Sequence, residues 1–247
     1  MLKVFTKIES VQKKWEGIRL PDFLNFKFLQ IYYQKHPQIK HLFVIDNNMR
    51  LYAHIFKLTF NKTKNYLQNN SMMTIFLNFI KLKVLYLTNS YITNVPAFTS
   101  KKSINLRKLL NSINYKYSLI VIPDFLFERM TVEDNQYTKI EVEAEMLLNI
   151  KKEWNNIDDY TSDLKTKYRK KVKTIIKKTN TLKIRNLTTN DLDLYRTEIR
   201  NLFNQVATSS HFTGPEFNTN SFKAFEAQKF MSVDGYFHNK KLVGFSS

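Results

Sequence analysis

The densest chemistry in this 247-residue chain is cationic: DLKTKYRKKVKTIIKK, Asp163 to Lys178, sets eight Lys/Arg and one acid in sixteen positions. Cations at that density can hold phosphate on a coenzyme, a tRNA or a nucleotide-linked acceptor, meet an acidic membrane surface, or form a solvated helix face. On a helical wheel of about 100° per residue, Leu164, Tyr168, Val172, Ile175 and Ile176 gather on about a third of the circumference. The helix is therefore expected to pack that side against the body of the protein. Lys167, Arg169, Lys170, Lys171 and Lys173 are the candidate anion-binding residues. Lys167 and Arg169 lie about 200° apart on the wheel, so one of them is expected to serve packing or a salt bridge instead of a shared phosphate.

A second group, Ser209, Ser210 and His211 in ATSSHFTGPEF, falls in an expected loop between helices. Acceptor sites are often built on such loops, although an isolated loop histidine is more often simply exposed. Asp124 follows LIVIP at an expected strand end, where turn formation is its first role. Glu141, Glu143 and Glu145 alternate on one strand face and suit solvent or lysine partners better than an acid/base couple. His36, His41, His54 and His238 show no metal-ligand spacing, so no metal is expected. The absence of cysteine excludes disulfides, thiolate metal sites and a Cys nucleophile, and makes the cytoplasm the default compartment.

The net charge of +18 favours an anionic partner without choosing one, and a biased coding genome would also enrich Lys, Asn and Ile. Its distribution is more informative. Residues 1–150 hold 21 basic and 11 acidic side chains, thinly scattered, whereas the basic run supplies seven of the excess of eight in residues 151–247. The N-terminus MLKVFTKIESVQKKWEG lacks a secretory h-region. MMTIFLNFIKLKVLYL, Met72 to Leu87, is interrupted by Asn78, Lys81 and Lys83, and reads as buried strand or core helix in place of a membrane span.

The elements that must position these residues follow from periodicity. PDFLNFKFLQIYYQKHP predicts a helix between Pro21 and Pro37 with Phe23, Phe26, Leu29, Ile31 and Tyr33 on its apolar face. HLFVIDNNMRLYAHIFKLTF predicts a hairpin turning at Asp46, Asn47 and Asn48, residues that tolerate positive φ. KVLYLTN, SLIVIPDFLF and IEVEAEMLLNI predict strands, and INLRKLLNSINYKY a helix. Asp158 or Thr161 can cap the basic helix and Asn180 can end it. LKIRNL is a short strand, and Asn190 or Asp191 begins another helix. FMSVDGYFHNKKLVGFSS predicts a second hairpin at Asn239 and Lys240. The fold class is α/β (α+β), and the two hairpins, each after a Phe-rich helical stretch, suggest a weak internal duplication.

Trp154, Asp159, Tyr160, Leu164, Lys167, Tyr168 and Arg169, followed by LKIRNL and a helix containing LFNQV, resemble the Fem-like branch of the GNAT acyltransferase superfamily. FNTNSF, Phe217 to Phe222, adds to the likeness, and VLYLTN, LIVIPDF and VEAEM extend it more loosely upstream. The resemblance implies two tandem GNAT-like domains, residues 1–152 and 153–247, with mixed, mainly antiparallel sheets flanked by helices, the second domain incomplete. It implies transfer of an acyl or aminoacyl group from acetyl-CoA, another acyl-CoA or aminoacyl-tRNA to an amine, without a metal. A neutral amine attacks the carbonyl, a proton acceptor serves it through water, and backbone N–H groups exposed at a strand bulge stabilise the oxyanion. The family's Gly-rich donor loop would lie beyond Ser247, so the chain alone is expected to be inactive if nothing completes it. The alternative is a non-catalytic RNA-binding module that uses residues 163–178.

Overall fold

Two hairpins organise the chain, which is seen in a computed structural model describing residues 2–15, 20–59, 81–91, 97–132, 137–141, 148–209 and 215–247. In the first, β2 (Lys40–Asp46) and β3 (Met49–Thr59) close with Asp46 opposite Met49. Neither Asn47 nor Asn48 uses the positive φ that the sequence would tolerate. In the second, β10 (Asp234–His238) and β11 (Lys241–Ser246) turn through Asn239 and Lys240 at φ 49° and 64°. Two successive left-handed residues give the twist that a two-residue hairpin prefers.

Around the first hairpin, β1 (Lys3–Phe5) pairs antiparallel with β2, and β4 (Lys81–Leu87) pairs antiparallel with β3. β7 (Leu119–Val121) then joins β4 in parallel, giving the order β1-β2-β3-β4-β7. β5 (Phe98–Ser100) continues along the β3 edge beyond β4, and β6 (Ile104–Asn105) with β8 (Met130–Thr131) forms a small parallel pair. Helix α1 (Gln12–Trp15) and α2 (Phe26–Lys35) cover one face of the sheet. α3 (Leu106–Ser112) and α4 (Asp124–Phe127) cover the other. Asn25 caps α2 by accepting from Lys27 N at 2.9 Å, after a short 3₁₀ turn that follows Pro21. Of the expected apolar face Phe26 and Leu29 are buried on α2, with Phe28 and Tyr32 beside them in place of Ile31 and Tyr33, while Phe23 falls in the 3₁₀ turn before the helix. Covering both faces explains why β2 is buried from His41 to Ile45 with no alternation.

The second unit repeats the first unit's opening order: a strand, helices, then a hairpin whose first strand is central. β9 (Lys183–Asn186) leads to α7 (Thr189–Leu194), α8 (Arg196–Ser209) and α9 (Phe222–Ala227), and the sheet order is β11-β10-β9. Thr188 and Asp191 form a reciprocal capping box at the start of α7, one or two residues before the expected Asn190 or Asp191 start. Leu187, Leu192, Ile199, Phe222, Phe237 and Leu242 fill one side of this sheet. On the other side Ile184 is 59% exposed. The units meet where Phe225 stacks on Phe28 at 4.9 Å between ring centres. Asn218 N donates to His36 Nε2 at 3.1 Å, and Asn218 Nδ2 donates to the Lys35 carbonyl at 2.9 Å.

Between the units two expectations change. The alternating strand expected over Ile140–Ile150 is absent from its described flanks, where Ile140, Leu148 and Ile150 are 78%, 59% and 74% exposed. Glu141 is exposed, while Glu143 and Glu145 lie outside the described residues, as do Met72 to Ile80. The single basic helix is instead two, α5 (Ile157–Asp163) and α6 (Thr166–Thr179), separated by extended backbone at Leu164 and Lys165. Asn156, in place of Asp158 or Thr161, caps α5 by accepting from Asp158 N and Asp159 N, and Asn180 ends α6 as expected.

Candidate functional site

The most unusual backbone lies where β4 leaves the sheet. Parallel pairing with β7 lasts only from Val84/Leu119 to Tyr86/Val121, and Pro123 then turns β7 into α4. On its other side β4 stays paired to β3 as far as Leu87 opposite Ala53, and β5 takes over that edge from Phe98 opposite Leu51. Between these two partners Tyr52 N donates to the Ala97 carbonyl at 3.0 Å. The chain therefore swings out of the sheet at Thr88 and returns at Ala97. Thr88 is 1% exposed and has φ 106°. A β-branched residue there is strained, by about 1–3 kcal/mol.

Buried side chains hold this exit. Tyr32 Oη donates to Asn89 Oδ1 at 3.0 Å, and the same oxygen accepts from Tyr91 N at 3.0 Å. His54 Nε2 and Ser90 Oγ are 2.8 Å apart. His54 is fully buried and its Nδ1 has no hydrogen-bond partner among the described residues. Tyr86, the last β4 residue paired with β7, stacks on His54 at 5.9 Å between ring centres, and Asp124 Oδ1 at the start of α4 accepts from Phe125 N at 2.7 Å. Burial, then the Asp124 charge, raises the Tyr86 phenol above its usual range.

His54 belongs to a three-histidine network. His41 stands directly across from it in the β2/β3 ladder, and His36 follows Tyr32 by one turn of α2. His36 Nδ1 donates to the Tyr32 carbonyl at 3.0 Å and leaves Nε2 to accept from Asn218 N. His41 Nε2 donates to the His36 carbonyl at 2.9 Å, so Nδ1 accepts from Tyr52 Oη at 2.8 Å. These partners fix two neutral tautomers. Burial lowers His36 and His41 to about 4, partly offset by their carbonyl partners, and lowers His54 to about 3 with help from the other two histidines. Desolvation likewise pushes the Tyr32, Tyr52 and Tyr91 phenols up. With the nitrogens of His36 and His41 already spent on protein partners, the cluster is not arranged for a metal. No group of three or more potential ligands occurs among the described residues.

The sequence-derived candidates are elsewhere. Lys167, Lys170, Lys171 and Lys173 stand exposed on α6 and form no ion pair with a described residue. Arg169 is the one committed to structure: Nη2 donates to the carbonyls of Ser162 and Leu164 at 2.6 and 3.0 Å, closing the end of α5. Trp154 and Tyr160 meet edge to face at 5.1 Å, and Trp154 Nε1 donates to Asp163, which also pairs with Lys151. Ser209 ends α8, and Ser210 and His211 lie outside the described residues. The expected docking of the apolar stripe is not seen against the described residues: Leu164 and Val172 are half-buried and α6 has no fully buried residue. Its neighbour is the short α5, which offers no apolar face wide enough to cover it.

The histidine network was accessible to sequence reasoning. A two-residue turn at Asn47–Asn48 pairs 46 with 49 and therefore 41 with 54, placing two histidines side by side. Spacing along the chain, the usual metal signature, hides them.

The molecule is a mixed α/β protein with helix-flanked mixed sheets, and no described helix is long and apolar enough to cross a membrane. Comparison with protein-family models, with curated proteins and with solved structures returns no match.

Proposed function

We propose that the chain is an N-acyltransferase of the Fem-like GNAT type, acting in the cytoplasm on an amine acceptor with acyl-CoA or aminoacyl-tRNA as donor. The observation that carries this reading is the strained, buried exit of β4 at Thr88, just past the point where its parallel pairing with β7 ends. A backbone forced through positive φ at Thr88 turns its peptide groups away from the ladder, as oxyanion donors require. His54, whose Nε2 lies 2.8 Å from Ser90 Oγ beside this exit, is the side chain assigned to orient Ser90 in relaying the amine proton. The repeated strand, helices and hairpin order supports a tandem arrangement of residues 1–152 and 153–247.

The test is ligand-dependent thermal stability and turnover. Acetyl-CoA and aminoacyl-tRNA are offered separately, and release of free CoA or deacylated tRNA is followed with a primary amine present. A ligand at a hundred times its Kd adds about 2.7 kcal/mol, which raises the melting temperature measurably. Stabilisation by one donor, with turnover lost in His54→Gln, supports the assignment. Indifference to both donors and no transfer to any amine would falsify it. The second reading, an RNA-binding module, is favoured by the exposed lysines of α6, which form no ion pair with a described residue. It predicts RNA affinity that falls steeply with salt and is weakened across sequences by reversing Lys170, Lys171 and Lys173.

A further inference from the structure

α6 has a second property that the acyltransferase reading does not use. With the helix bounded at Thr166 and Thr179, a wheel of about 100° per residue separates its side chains completely. Ile175, Tyr168, Thr179, Val172 and Ile176 share one arc roughly 100° wide, and all seven Lys and Arg side chains lie outside it. Such segregation normally marks a helix packed on a core. Here Tyr168, Ile175 and Ile176 are 51%, 59% and 46% exposed, and only Arg169 and Val172 are half-buried. Three large apolar side chains left mostly in water along one arc are unfavourable unless something else covers them.

We propose that α6 docks on an anionic phospholipid surface, lying in the plane of the interface. Tyr168, Ile175 and Ile176 enter the boundary between headgroups and acyl chains, and Lys171, Lys173 and Lys178, roughly 90–110° from the centre of that arc, meet lipid phosphates and carboxylates. The charge complementarity is direct, because these lysines form no ion pair with a described residue. The apolar arc decides between lipid and RNA. A nucleic-acid backbone would satisfy the cations and leave three large apolar side chains in water, whereas a bilayer surface satisfies both faces of the same helix. The helix is about 21 Å long at 1.5 Å per residue, long enough to lie on a bilayer and too short to span one.

The experiment is co-sedimentation of the full chain with phosphatidylcholine vesicles and with equimolar phosphatidylcholine/phosphatidylserine vesicles, beside a gel shift with a short RNA. The chain is expected to pellet with the anionic vesicles only, and less so as salt rises. Ile175→Ser with Ile176→Ser should cut that partition by about tenfold or more at an unchanged melting temperature, since both side chains are exposed. The proposal is overturned if the double variant pellets like the parent, if neither vesicle type retains the chain, or if RNA is bound and anionic vesicles are not. Because none of these readouts involves an acyl donor, the result stands or falls independently of the enzymatic reading.

Discussion

The two hairpin-centred units are built in the same order and finished differently. In the first, helices lie on both faces of the sheet, and the central strands are buried without alternation. In the second, the helices cover one face and leave Ile184 and Val243 on the other side 59% and 42% exposed. The difference shows in the polar chemistry. The described histidines that are buried, His36, His41 and His54, all lie in the first unit, where His41 and His54 share the sheet face that α2 covers. His238, on the second sheet, is exposed.

Acidification tests this contrast most severely. The folded values of about 4, 4 and 3 for His36, His41 and His54 lie below the ordinary value of 6.5. The unfolded chain therefore binds protons first as pH falls. The stabilisation is complete above about pH 6.5 and is lost by up to about 1.4 kcal/mol per pH unit for each histidine on the way down to their folded values. Urea melts across this range should show the first unit failing ahead of the second. Equal loss in both units would break the comparison.

Core truncation comes next. Phe43, fully buried and edge-on to Trp15, should cost about 3–5 kcal/mol as Phe43→Ala. Ile184→Ala on the open face should stay within about 0.5 kcal/mol. Chemical denaturation of the two variants checks the pair. Tyr32→Phe removes one of the two donors to Asn89 Oδ1, leaves Tyr91 N in place, and should cost about 0.5–1.5 kcal/mol. A loss of donor-dependent stabilisation beyond that cost would tie the Thr88 exit to ligand binding. The smallest contrast lies within the second sheet. A Cβ at Gly235 would meet Leu187, Phe237 and Leu242 at 2.8, 2.9 and 3.1 Å, whereas one at Gly244 would meet Tyr236 no closer than 3.8 Å. Gly235→Ala should therefore destabilise by about 1–3 kcal/mol and Gly244→Ala by less than about 0.5 kcal/mol. Thermal melts that rank them the other way would reverse the inside and outside of that sheet.

Elements were readable from the sequence wherever local chemistry sets them. The two hairpin turns, the end of α6 at Asn180, and the strands around KVLYL and LKIRN follow from turn residues and β-branched or aromatic runs. What escaped depends on contacts outside each element. Phe28 and Tyr32 join Phe26 and Leu29 on the buried face of α2 because the sheet and Phe225 pack there, and the break at Leu164 is held by Arg169, five residues on. The stripe of α6 was read correctly as a stripe and incorrectly as a buried one, because periodicity reports segregation and not what covers it. The Thr88 exit left no local mark. Threonine does not favour positive φ, and the neighbouring Asn89 is held by Tyr32, 57 residues away.

The hydrogen bond from Asn218 N to His36 Nε2 gives a single amide proton an acceptor on the other unit. That proton exchanges with solvent only when the two units separate or the imidazole is itself protonated. Its deuterium uptake is thus a built-in gauge of how tightly the halves hold together, readable at one residue without a label, while the amide of Asn220, held by the side chain of Asn218, reports the local turn alone.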